Sequence, residues 1–134
     1  SGGLIPSTGD FPFSGVSAGY LVRDNAFWTA SDISLQINYD TASFSLSSSN
    51  SVMTPNHNSI FSSAANLDFQ VSGTISGDRT TAQANSFTTS SWFSGGANRS
   101  LVAKAFGYRA GEYSGTFQFQ ENDTLYMGGF GAKR

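Results

Sequence analysis

The chain ends on a strand. Leu125 to Ala132 reads as an extended segment, and no later segment is left to pair with it. A strand with a free row of N–H and C=O groups is a template for aggregation unless something covers it. In an all-β chain of 134 residues the available partner is the first strand. That pairing closes a barrel and removes both edges. Just upstream, Phe106-Gly-Tyr-Arg-Ala-Gly-Glu-Tyr-Ser-Gly-Thr-Phe117 reads as a hairpin with a glycine at each bend. Gly107 is placed where one strand ends and Gly115 where the next one bends, both for backbone reasons. Phe106 and Phe117 are expected to point inward, and Glu112 to pair near the turn with Arg109 or Lys104.

The rest of the chain supplies the other strands. Phe13 to Arg23 alternates Val16, Ala18, Tyr20 and Val22 with Gly15, Ser17 and Gly19, a period of two that means a strand. Tyr20 is assigned to the interior. Ile33, Leu35, Ile37 and Tyr39 alternate with polar residues and turn at Asp40-Thr41 into Phe44 and Leu46, a hairpin with one buried face. Ser47 to Asn66 is polar and contains Pro55 and His57, which predicts a long loop with a short helical turn near Ser59–Ala65. Further strands are expected at Leu67–Ile75, Thr80–Phe87, Leu101–Phe106, Glu112–Phe119 and Leu125–Ala132. A second loop, Ser90 to Arg99, carries Trp92-Phe93 beside Gly95-Gly96.

Eight short strands separated by turn residues indicate an all-β fold, an eight-stranded antiparallel soluble up-and-down β-barrel. Residues 1–10 read as a linker or cut end, and 11–134 as a single barrel domain. The inward set (Tyr20, Ile33, Leu35, Ile37, Phe44, Leu46, Phe69, Val71, Phe106, Phe117, Phe119) is bulky enough to fill a barrel of this size. That favours a packed lumen over a ligand cavity.

Composition narrows the function. About a quarter of the chain is Ser or Thr, with 15 Gly, 12 Phe, no Cys and a formal charge of −2. Seven scattered Lys and Arg residues do not build the basic face that nucleic acid requires. Without cysteine there is no disulfide and no thiolate chemistry. No apolar run reaches the roughly 18 residues of a membrane helix. The outward positions Ser34, Gln36, Asn38, Ser45, Gln70, Ser72, Thr116 and Gln118 are polar, which excludes a lipid-facing barrel surface.

Catalytic residues and metal ligands are not expected. Nucleophilic catalysis needs a base and an orienter within reach of a Ser or Cys, and the one histidine, His57, stands in a polar loop without a motif. Trp92 and Phe93, aromatic residues on a glycine-rich loop, either contact a partner or plug a barrel end. Together with His57 they form the candidate partner-binding set.

Three segments carry a family resemblance. Ser31-Asp-Ile-Ser-Leu-Gln-Ile-Asn-Tyr-Asp-Thr-Ala-Ser-Phe-Ser-Leu46 resembles an early hairpin of the C-terminal β-barrel domain in transferrin-binding protein B-like surface lipoproteins. That group includes factor H-binding protein, neisserial heparin-binding antigen and the hemophilin-type haemophores. Ala105 to Phe117 resembles the family's Phe-Gly…Ala-x-Glu-x-x-Gly-x-Phe hairpin, and Gly129-Phe-Gly-Ala-Lys-Arg134 its closing strand. Tyr108 and Arg109 depart from the family's usual turn residues.

The resemblance implies a monomeric, non-enzymatic binding and export module, surface-exposed or secreted by a Gram-negative bacterium. It would serve host-protein, iron or haem acquisition, with a host protein or an outer-membrane receptor or translocon as partner. Haem ligation by His57 or a tyrosine and a lipocalin-like carrier barrel are the alternatives. No resident cofactor is expected.

Overall fold

A computed structural model describes residues 5–55, 61–89 and 98–134. Its strands are β1 (Asp10–Arg23), β2 (Asn25–Asn38), β3 (Ser43–Pro55), β4 (Ser62–Ser63), β5 (Phe69–Ile75), β6 (Thr81–Thr89), β7 (Asn98–Phe106), β8 (Glu112–Glu121) and β9 (Thr124–Lys133). The two-residue β4 pairs only with the end of β3. The other eight form a closed ring in which each strand runs antiparallel to its neighbours. The ring closes as the terminal strand requires: β9 pairs with β1 from Ser14↔Lys133 to Val22↔Leu125. No edge of this ring stays open, which answers the hazard of an unpaired last strand.

Aromatic rings fill the lumen. Phe69, Phe117, Phe119 and Tyr126 pack with centroids 5.0–6.4 Å apart, and Phe87 meets Phe119 edge-on at 5.7 Å. Nearer the other end, Phe13 abuts Tyr113 at 5.1 Å, and the Tyr113 and Tyr39 hydroxyls share a 2.6 Å hydrogen bond. Each such ring stabilises the fold by about 1.5–3 kcal/mol through area removed from water. Ile33, Leu35, Ile37, Phe44, Leu46, Val71 and the Phe69–Phe117–Phe119 group are all buried, as the alternation requires.

Two members of the expected inward set point outward. Tyr20 is 43 % and Phe106 51 % exposed. On β1 the buried positions are Phe13, Ser17, Gly19 and Leu21, so the alternate face of Val16, Ala18, Tyr20 and Val22 looks out. On β7, Leu101 and Ala103 are buried, which by strand alternation sends Val102, Lys104 and Phe106 to the surface.

The strands are also longer than the apolar pattern suggests. β2 begins at Asn25 rather than near Ile33. β3 continues to Pro55 through the segment expected to be a loop, pairing with β2 up to Phe27↔Pro55. Its inward residues there are hydroxyls, which are buried but partnered: Ser31 Oγ meets Ser51 Oγ at 2.8 Å, Ser51 donates to Asp68, and Ser48 Oγ accepts from the Phe69 amide at 2.9 Å. Buried hydroxyls with partners cost little, so a strand can continue without an apolar pattern. Among the described residues helical geometry occurs at Ala65–Leu67, as one 3₁₀ turn, while the start of the expected turn near Ser59–Ala65 lies outside the described residues.

Gly115 marks the closest approach between β8 and β7. A Cβ there would sit 2.1 Å from the Val102 carbonyl oxygen and 2.7 Å from Ala103 Cα. Only glycine lets the two backbones come this near.

Candidate protein-binding face

The inversion of β1 builds an apolar patch on the outer wall. Tyr20 stands opposite Trp28 on β2 and Met127 on β9, while Val22 stands opposite Leu125 on β9. The Tyr20 and Trp28 rings lie 4.8 Å apart. All of Tyr20, Val22, Trp28 and Met127 are more than a third exposed. Ser17 and Gly19 occupy the inner side of β1 between the buried Phe13 and Leu21, and strand alternation sends Tyr20 to the outer side. Ser45, Gln70, Ser72, Thr116, Gln118 and Gln120 make other parts of the outer wall polar, while Val16, Val102 and Phe106 are also exposed.

Toward the opposite end of β1, the wall dips into a groove of about 540 Å³. Val16 and Phe106 are among its lining residues, with Gly131 and Ser114 between their strands. Glu112 lies beside it in an ion pair with Lys133 at 3.3 Å. Glu112 therefore joins the terminal strand, and its ion-pair partner is neither Arg109 nor Lys104. Lys133 follows Ala132 on the outward side of β9, directly opposite Glu112 in the ladder, and that register selects it.

The hairpin residues singled out by sequence thus divide. Gly115 and Phe117 belong to the interior, Phe106 and Glu112 to the outer groove, and Gly107 to the β7–β8 turn with φ +78°. His57, Trp92 and Phe93 lie outside the described residues. The face of Tyr20, Trp28 and Met127 went unassigned in sequence. The available clue was the row of small residues opposite Tyr20, which reads equally well as a tightly packed inner wall.

Electrostatics point to packing and turns rather than to proton chemistry. Burial, and then the hydrogen bond with Tyr39, push the Tyr113 hydroxyl well above the usual tyrosine range. Burial also raises Tyr126, with the Ser31 and Thr29 hydroxyls acting in the other direction. Asp78 is held down at about 2 by hydrogen bonds from Ser76 and Thr80 in the β5–β6 turn. Among the described residues no group of three or more His, Asp or Glu could hold a metal ion.

The fold is an eight-stranded up-and-down barrel with its lumen packed by aromatics and an exposed apolar patch on its outer wall. The sequence matches the family described as the C-lobe and N-lobe β-barrels of Tf-binding protein B over residues 5–134, and the chain belongs to that family. Solved structures share the fold. Intact Ap-TbpB, with its N and C lobes, superposes with a TM-score of 0.65 at 13% identity, covering 96% of this chain and 27% of that one. A double mutant of the vaccine antigen transferrin-binding protein B from Haemophilus parasuis Hp5 gives 0.68 at 14% identity, covering 96% and 26%. The isotype 1 transferrin-binding protein B from serogroup B Neisseria meningitidis gives 0.59 at 16%, covering 96% and 25%. The chain spans about a quarter of the length of these proteins. No curated protein matches it significantly in sequence.

Proposed function

We propose that this barrel is a lobe of a bacterial surface protein that captures a host iron-carrying protein of the transferrin kind, without enzymatic turnover. In this reading the Tyr20–Trp28–Met127 face makes the contact. The observation that carries it is the exposed Tyr20–Trp28 ring pair on the outer wall, flanked by Val22 and Met127, in a family named for transferrin binding. Tyr, Trp and Met are enriched at protein interfaces, and a few such residues supply most of the affinity. The barrel would reach the cell surface or be secreted through an outer-membrane translocon for surface lipoproteins, acting as a monomer.

The test is surface plasmon resonance against a panel of iron-loaded mammalian transferrins. Tyr20→Ala with Trp28→Ala should weaken binding by about 30-fold or more while leaving the melting temperature close to that of the parent chain. Binding that survives the double substitution assigns the contact to another face. Failure of every transferrin to bind, in the barrel and in the longest chain that contains it, rejects the reading.

A further inference from the structure

The turn between β7 and β8 holds a second surface, at the barrel end opposite the Tyr20–Trp28 pair. Its backbone is strained. Arg109 and Ala110 both sit at φ +54°, directly after Gly107 and Tyr108. Paired positive φ values suit Asn-Gly or Gly-Gly, and a residue with a Cβ is disfavoured there. Ala110 is buried, anchoring the turn, while Tyr108 is thrust outward at 67% exposure. The Arg109 guanidinium lies 5.3 Å from the centre of the Tyr108 ring.

Arg134 completes the arrangement. Its Nη2 donates to the Arg109 carbonyl at 2.8 Å, and its guanidinium lies 4.9 Å from the centre of the Phe11 ring. Between these groups is a cleft of about 570 Å³, walled also by Ile5 and Pro6. The nearby carboxylates are engaged elsewhere. Glu112 pairs with Lys133, Asp10 accepts from Gln36 Nε2 at 2.6 Å, and Asp40 accepts from the Gly9 amide at 3.1 Å. Two guanidiniums therefore face one cleft whose walls include Ile5, Pro6, Phe11 and Tyr108, and neither takes part in the Arg23–Asp123 or Lys133–Glu112 ion pair. Holding the turn uses one N–H of Arg134, and a guanidinium has five.

We propose that this cleft binds an acidic, extended segment of a partner protein. A carboxylate bridges Arg109 and Arg134, and a neighbouring apolar side chain rests on Phe11, Ile5 and Tyr108. Charge complementarity selects the partner: ring-stacked guanidiniums keep their charge and their fork geometry, which suit a carboxylate. The proposal does not rest on transferrin, and it uses none of the residues of the Tyr20–Trp28 face.

The test is fluorescence anisotropy at low ionic strength with a fluorescein-labelled Gly-Glu-Leu-Glu-Glu-Leu-Gly peptide and its Gln counterpart. The Glu peptide should bind at least about tenfold tighter than the Gln peptide. Arg109→Gln and Arg134→Gln should each weaken it by about five- to tenfold. Tyr108→Ala, which removes only the stacking ring and leaves the turn's backbone bonds, should weaken it by about threefold. Gln118→Ala on the outer wall and Tyr20→Ala should leave it unchanged. In a nuclear magnetic resonance titration, the peptide should shift the amides of Tyr108 to Gly111 and Arg134. Equal binding of the two peptides, or indifference to Arg109→Gln and Tyr108→Ala in folded protein, overturns the proposal. So does preferential, Arg109-dependent binding to phosphatidylglycerol vesicles, or displacement of the peptide by inorganic phosphate at comparable concentration.

Discussion

β1 and β8 flank the same strand, β9, and obey the same alternation with opposite chemistry. β8 sends Tyr113, Phe117 and Phe119 inward and Ser114, Thr116, Gln118 and Gln120 outward. β1 buries Phe13 and Leu21 toward its two ends, but between them it buries only Ser17 and Gly19 and exposes Val16 and Tyr20. The lumen has room for one set of rings. Where β8, with Phe69 and Tyr126, fills it, the middle of the wall across β9 presents small side chains inside, between Phe13 and Leu21. Val16 and Tyr20 of that middle stretch are left at the surface. A period of two defines two faces, and the volume contributed by the other strands decides which one is buried.

The sharpest way to break this comparison is to truncate matched residues on the two strands. Phe117→Ala empties the lumen and should cost about 3–5 kcal/mol. Gly115→Val, whose Cβ would overlap the β7 backbone, should cost about 3 kcal/mol. Tyr20→Ala should cost under about 1 kcal/mol, from the lost cross-strand contact with Trp28. Urea denaturation of the three variants reads all of this. A Tyr20→Ala loss equal to that of Phe117→Ala would mean that the outer ring pair carries the fold and is not a docking surface.

The same contrast explains what the sequence disclosed. Barrel closure, strand number and most of the interior were legible because Ile33, Leu35, Ile37, Phe69 and Phe119 follow an unambiguous alternation and because the last strand needed a partner. The outward turn of Tyr20 and Phe106 was only faintly legible: Phe13 and Leu21 share the inward parity of Ser17 and Gly19 on β1, and Leu101 that of Ala103 on β7, but the small residues on those faces obscure it. The continuation of β3 through Ser48 and Ser51 was hidden for a different reason: their burial depends on hydrogen bonds to Ser31, Asp68 and the Phe69 amide, supplied from up to 21 residues away. The Arg109–Arg134 cleft joins residues 25 apart in the chain. Only the unusual turn residues Tyr108 and Arg109 hinted at it.

An intermediate effect separates interior from rim by pH. Tyr113 has an ordinary value of 10.0 when unfolded and lies well above it when folded, through burial and then the bond to Tyr39. The unfolded chain therefore releases this proton first as pH rises. The stabilisation is complete below about 10 and declines above it. Thermal melting should fall more steeply from pH 10 upward in the parent chain than in Tyr113→Phe, although that variant starts lower because Tyr39 loses its partner. Parallel slopes for the two proteins would show that Tyr113 is not held neutral in the lumen.

The smallest expected effect lies at the rim, on neither wall. Asp78 is lowered from 3.8 to about 2 by hydrogen bonds from Ser76 and Thr80. A depressed carboxylate favours the folded state above its unfolded value. That contribution fades as pH falls from 3.8 toward about 2. The group is fully exposed, so solvent screens what it adds. Asp78→Asn should therefore approach the parent chain in melting temperature only near pH 2 and fall slightly below it at neutral pH. Residue 78 is also a turn position where asparagine keeps the local hydrogen-bonding geometry. A large neutral-pH deficit for Asp78→Asn would place much of the fold's stability in the β5–β6 turn. The contrast between a ring-filled β8 wall and an outward-turned β1 wall would then no longer account for where the barrel is held together.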